Sequence, residues 1–101
     1  MLARFLAGLV LTIAVVHAPG ARADPGRDVA ATCAACHGTD GHSRGDIPSL
    51  AGRDKSELIR AMRDFREGRR ASTIMQQLAK GYTDADIEAA AGYLARQKKT
   101  P

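Results

Sequence analysis

The stretch Cys33-Ala34-Ala35-Cys36-His37 constrains this chain more than any other. Two cysteines separated by two residues place both sulfurs on one turn of helix. A histidine directly after the second completes the spacing that attaches haem covalently, through the two vinyl groups of a single porphyrin. The adjacent imidazole is then available to the iron as the proximal ligand. A chain built on this motif has to wrap its apolar residues around a flat, rigid group. Its function is expected to be electron transfer.

The N-terminal residues are expected to lie outside that fold. Arg4 supplies a positive start, Phe5 to Val16 form an apolar run of 12 residues, and Ala21-Arg22-Ala23 has small residues at the two positions a signal peptidase reads. The run is short for a transmembrane helix, which needs about 20 apolar residues. Residues 1–23 therefore read as a signal peptide and 24–101 as a single domain of 78 residues. Export to a periplasmic, oxidising compartment follows, with no stable membrane insertion after cleavage. So small a domain buries only a modest core and usually needs a staple or a cofactor. This one contains no Trp, one Phe (Phe65) and two Tyr (Tyr82, Tyr93). Its two cysteines are too close to form a disulfide framework, so a buried haem would supply the missing apolar mass.

The pattern along the chain is helical. The domain holds 13 alanines but only five Val and Ile together, so strand signals are poor. A first helix is predicted from about Gly26 through Cys36. A long loop follows, Gly38 to Arg53, too rich in Gly and Pro for regular structure. Asp54 with Glu57 three later starts a second helix as a capping box, with Leu58, Ile59, Met62 and Phe65 as its apolar stripe. That helix ends near Gly68. A short helical turn near Thr73 to Lys80 is broken by Gly81. Thr83 then caps the last helix, with Asp84, Asp86 and Glu88 in its first turn, Ile87, Ala90, Ala91 and Leu94 as its buried stripe, and Lys98 and Lys99 at its C-terminal end.

Two other uses of the cysteine pair have less behind them. A redox-active disulfide motif wants a βαβ context that a helical chain of this length does not offer. Structural zinc wants four ligands, and the only further histidine in the domain is His42. For a second axial ligand the domain offers Met62, Met75 and His42. His42 leaves from the proximal side, on a loop, and reads as a solvated histidine. Met62 lies on a helical stripe, where Met is most often core filler. Met75 follows an irregular approach, Arg69 to Ile74, from which a thioether can be aimed at iron, and this placement favours it.

The whole domain resembles the class I c-type cytochromes. The resemblance rests on Cys33 to Gly38, on Ile47-Pro48-Ser49-Leu50-Ala51-Gly52-Arg53, on the amphipathic middle helix, on the loop methionine and on a last helix bearing Tyr93. It implies an all-α, small class I cytochrome c fold of three to four helices around one covalently bound haem c. It also implies iron ligation by His37 and Met75. The Pro48 carbonyl would accept the imidazole ring N–H, which fixes ring orientation and raises ligand basicity. Leu50 would pack on the haem, and Arg53 would reach a propionate. The first and last helices would cross closely through small residues, Ala30 and Gly92, with Tyr93 against Val29. A narrower segment is similar to the cytochrome subunits of flavocytochrome c sulfide dehydrogenases. It comprises Ala71-Ser72-Thr73-Ile74-Met75, Ala79 to Thr83 and Ala91-Gly92-Tyr93-Leu94. That resemblance implies a haem subunit, not an enzyme on its own, which accepts electrons from a sulfide-oxidising flavoprotein.

Two alternatives stand beside that reading: a freely diffusing cytochrome shuttling electrons to an oxidase or reductase, and a ligand-binding haem protein whose sixth site opens. Charge discriminates weakly, since the domain has 13 Lys and Arg against 11 Asp and Glu. Nucleic-acid binding has no support, because no basic stripe interleaved with aromatics is present. The run Arg60, Arg63, Arg66, Arg69, Arg70 is interrupted by Asp64 and Glu67, which helical spacing pairs with Arg60 and Arg63. That pairing makes a solvated helix face the expected account, and a docking patch for an acidic partner the other one.

Overall fold

The computed structural model describes residues 10–20 and 23–101. Arg4, the start of the apolar run and the Ala21-Arg22 part of the cleavage signal lie outside the described residues. Residues 10–20 have no regular secondary structure, and Val10, Leu11, Ile13, Val15 and Val16 are exposed. No described helix is long and apolar enough to cross a membrane. From Asp24 onward the described chain is helical, without strands. Its helices are α1 (Pro25–Ala31), α2 (Ala34–His37), α3 (Lys55–Arg66), α4 (Met75–Ala79) and α5 (Asp84–Ala95), with a 3-10 turn at Thr39–Gly41.

The first predicted helix is divided in two. Asp24 caps α1 by accepting from Arg27 N, and Pro25 occupies the first turn. After Ala31 the hydrogen bonds tighten to the three-residue kind: Thr32 N donates to Val29 O and Cys33 N to Ala30 O. Thr32 Oγ1 also donates to Val29 O at 2.7 Å, a side-chain bond that competes with helix continuation. The break turns the cysteine motif relative to α1.

Helix α3 starts at Asp54 as predicted, but with half a capping box. Asp54 Oδ1 accepts from Glu57 N at 3.1 Å, while the Glu57 carboxylate turns back to Arg53, 3.1 Å away. Its C-terminus is closed by Arg69 N donating to Asp64 O and Gly68 N to Phe65 O, the paired bonds of a Schellman end. Helix α5 carries the complete box: Thr83 Oγ1 accepts from Asp86 N, and Asp86 Oδ2 accepts from Thr83 N. Only Asp84 and Asp86 of the three expected acids fall in its first turn, Glu88 standing beyond it, and the helix stops at Ala95, so Lys98 and Lys99 lie beyond its last turn, not within it.

The core is small and made largely of methyl groups. Its buried members are Ala30, Ala51, Leu58, Ala79, Ile87, Ala90, Ala91 and Leu94. All four residues predicted for the inner stripe of α5 are among them. Val29, Leu50, Ile59 and Tyr93 pack on the cluster from its edge. Helices α1 and α5 do cross closely, and Ala30 is buried there, but the glycine that permits it is Gly26. A Cβ on Gly26 would stand 2.4 Å from Ala89 O and 3.1 Å from Tyr93 Cβ. Gly92, expected at the crossing, lies elsewhere: its nearest neighbours are the flexible ends of Arg96 and Lys55, at 3.5 Å and beyond. The 3.6-residue repeat puts Gly92 off the face that carries Ala89 and Tyr93 toward α1.

Candidate haem site

The cysteine motif occupies α2 and its flanks. Cys33 precedes the helix, and His37 N and Cys36 N both donate to Cys33 O, so the motif is one closed turn. Both thiols are free, Cys33 half-buried and Cys36 exposed. Burial pushes the Cys33 thiol up from its ordinary value, partly offset by a hydrogen bond with the Thr32 side chain.

Gly38 ends the turn at φ +82°, and a Cβ there would fall 1.9 Å from His42 O. Only glycine permits both the backbone angle and the approach. The chain then doubles back through the 3-10 turn. Gly41 O accepts from both Leu50 N (2.8 Å) and Ala51 N (3.1 Å), and Ser49 Oγ accepts from Ser43 N at 3.0 Å. Gly52 N donates to Leu94 O, which fastens the loop to the end of α5. The result holds the carbonyl of Pro48 against the imidazole: His37 Nδ1 lies 2.6 Å from Pro48 O. Nδ1 is thereby the protonated nitrogen, and Nε2 keeps its lone pair. No other hydrogen bond to this ring is made among the described residues.

Met75 is the first residue of α4, not part of an extended loop, and it is half-buried. The turn before it is held by Gln76 N donating to Ser72 Oγ at 2.9 Å. Met62 is half-buried on α3. Leu50 rests on the protein core, and Arg53 is ion-paired with Glu57 while remaining 40% exposed. From Asp24 onward the exposed large aliphatic side chains are Ile47, Ile74 and Leu78. One adjoins Pro48, and the other two flank Met75 in sequence. Apolar side chains left in water at these places fit a large apolar group between the two segments. A cleft of about 730 Å³ adjoins the motif, lined by Cys36, Thr39, Asp40, His42, Arg44 and Ile47 but by neither His37 nor Met75.

Three polar ties had no sequence signal beyond the residue types. His42, read as a solvated histidine, is half-buried, with Nδ1 3.0 Å from Thr100 Oγ1. Tyr93 donates to Asp40 at 2.6 Å, which raises the phenol's pKa, and the Tyr82 hydroxyl meets Thr32 Oγ1 at 2.5 Å. Each joins the haem-motif region to a distant part of the chain.

The relatives of this chain agree with that chemistry. Residues 20–94 match the family described as cytochrome C oxidase, cbb3-type, subunit III. The chain belongs to this family of c-type cytochromes. The cytochrome subunit of sulfide dehydrogenase from Chlorobaculum tepidum is 42% identical over 74 residues, which cover 73% of this chain and 67% of that protein. Cytochrome c4 of Pseudomonas aeruginosa is 37% identical over 99 residues, covering 94% of this chain and 49% of the relative. The chain thus spans two thirds of one relative and about half of the other. A solved cytochrome c4 from Acidithiobacillus ferrooxidans superposes with a TM-score of 0.60 at 40% identity, over 62% of this chain and 37% of that one. The cytochrome is all-α with a class I fold, carries haem c and transfers electrons.

Proposed function

We propose that Cys33 and Cys36 would hold the haem by thioether bonds, that His37 Nε2 and Met75 Sδ would be the protein's donors to its iron, and that the cytochrome accepts electrons from a sulfide-oxidising flavoprotein. The observation that carries the ligand reading is the 2.6 Å contact between His37 Nδ1 and Pro48 O. It directs Nε2 outward, fixes the ring and raises its basicity. Bound haem supplies one-electron Fe(III)/Fe(II) chemistry. With a thioether as the second donor beside the imidazole, ferrous iron would be favoured more than with a second imidazole, and two neutral donors would suit both oxidation states. Packed on the haem, Ile47, Ile74 and Leu78 would exclude water from it, which acts in the same direction. In this reading the chain has no catalytic group of its own. Residues 1–23 form a leader, and the cytochrome works in the periplasm.

The donor class rests on similarity to the Chlorobaculum tepidum sulfide dehydrogenase subunit and on the Ala71 to Met75 segment. Similarity to cytochrome c4 over nearly the whole chain favours a second reading, a free shuttle between redox proteins. Both are tested in one preparation. Affinity purification from the native cell under mild conditions should yield a flavin-containing chain in fixed ratio to haem; a monomer free of flavin selects the shuttle. In the same preparation Met75→Ala should abolish the long-wavelength ferric band of methionine ligation, and Met62→Ala should keep it. The reverse pattern reassigns the ligand.

A further inference from the structure

The ion pairs on α3 are not those that helical spacing offers, and the difference leaves two of its arginines without a contact ion pair. Asp64 and Glu67 stand four residues after Arg60 and Arg63, the pairing expected on a helix. Instead both carboxylates turn to Arg69 beyond the helix end, with Arg69 Nη2 2.8 Å from Asp64 and Nη1 against Glu67. The remaining acids within reach are engaged as well. Glu57 holds Arg53 at 3.1 Å, and Asp84 holds Arg66 at 2.7 Å. The Schellman end explains the exchange: it swings Arg69 back over the last turn, where Nε and Nη2 bond the same Asp64 oxygen. Arg60 and Arg63 are exposed, three residues apart on the outward side of α3, and make no ion pair among the described residues. Asp54 acts on Arg60, and Asp84 on Arg63, by charge alone, since these carboxylates are bonded to Ser56 and Arg66.

We infer that Arg60 and Arg63 form a docking stripe for a carboxylate-bearing surface of the protein that delivers electrons to this cytochrome. The inference deepens the proposed function and rests on it for the existence of such a donor. The chemistry favours an acidic protein over other anions. A guanidinium presents a planar fork that matches a carboxylate, and two forks about one turn apart match two carboxylates at a fixed separation. The stripe is bounded by Ser56 and Glu67 and lies beside Asp64. Acids within the basic face would repel a continuous polyanion such as a charged lipid surface, but can meet a mixed protein surface in one register. No large apolar residue lies on the stripe to enter a bilayer.

The test uses the oxidised holo-cytochrome and flavodoxin hydroquinone, an acidic flavoprotein, as the electron-donating probe in stopped flow. Arg60→Glu with Arg63→Glu should lower the second-order rate about tenfold at low ionic strength, with the difference vanishing at high salt. Arg27→Glu with Lys98→Glu changes the net charge equally at exposed positions away from the stripe, and should lower it less than about twofold. A neutral hydroquinone should reduce all three proteins at one rate, which shows that the haem is unaltered. The milder Arg60→Gln with Arg63→Gln should fall between wild type and the double glutamate variant. Equal losses in the two charge-reversed proteins, or no loss in either, would overturn the stripe. So would binding to anionic vesicles that depends on Arg60 and Arg63 while the flavodoxin rate does not. A flavoprotein that co-purifies yet reacts equally with wild type and variant removes the docking inference and leaves the proposed function intact. Absence of any flavoprotein partner, with the stripe effect present, does the opposite.

Discussion

Gly26→Ala and Gly92→Ala are the same chemical change made in two helices, and the structure gives them opposite signs. At Gly92, inside α5, the new methyl meets only the movable ends of Arg96 and Lys55, 3.5 Å or more away. Alanine there should gain most of the helix-propensity difference, about 0.5–1 kcal/mol. At Gly26 the methyl would sit 2.4 Å from Ala89 O, and Ala89 C is 3.0 Å away. Both are backbone atoms of α5, so no rotamer change relieves the clash. Helix α1 has to move off by roughly 1 Å, against its close packing on α5. Overpacking of this kind costs about 1–3 kcal/mol, and Ala30, Ala90 and Ala91 lose contact as the helices part. The two variants should therefore differ by about 1.5–4 kcal/mol, equivalent to roughly 6–30 °C in Tm for a domain of this size. Thermal and urea unfolding of the holo-proteins, followed by far-ultraviolet circular dichroism, measures the gap. Equal stability of the two variants, or a loss at Gly92 as large as that at Gly26, would refute the assignment of the helix crossing.

Three further outcomes follow from the same geometry. Cys33→Ala with Cys36→Ala should leave little cooperatively folded protein, because five of the eight buried core side chains are alanines; a sharp unfolding transition in the apo double variant would contradict this. Thr83→Ala should cost about 1 kcal/mol by opening the capping box of α5, measured as a shift in denaturation midpoint at unchanged slope, and Thr83→Ser should retain most of it. Stability should fall on the acid side. Hydrogen bonds from Ser56 and from Glu57 N hold the Asp54 carboxyl below its usual range, and the Arg66 guanidinium, first by hydrogen bonding and then by charge, does the same for Asp84. A carboxyl whose pKa is lower folded than unfolded contributes stability above its unfolded value of about 4, and loses it as pH falls through the folded value. Asp54→Asn with Asp84→Asn should flatten the decline in denaturation midpoint below that pH; an unchanged slope would show that other groups are responsible.

Most properties that depended on neighbours in sequence were determined by the sequence alone, the break at Thr32 and the half box at Asp54 being the exceptions. The Cys33 to His37 spacing, the buried stripe of α5 and the caps Asp54 and Thr83 involve groups three or four residues apart, whose relative positions one turn of helix fixes. The family resemblance extended this to Pro48, whose carbonyl does lie on His37. Where a property depended on which of several equivalent groups a segment met, only the tertiary structure decided it. Gly26 and Gly92 are both helix glycines, and the rotation of α5 against α1 selects the first. Asp64 and Glu67 had arginines on either side, and the path of the chain after Gly68 delivered Arg69 to both. His42 could be placed against Thr100 only when the tail after α5 had been laid over the loop. The physical reason is common to these cases. Helical periodicity and capping are short-range, with directions set by covalent geometry, whereas the choice among equivalent long-range partners rests on small energy differences that exist only once the helices have packed.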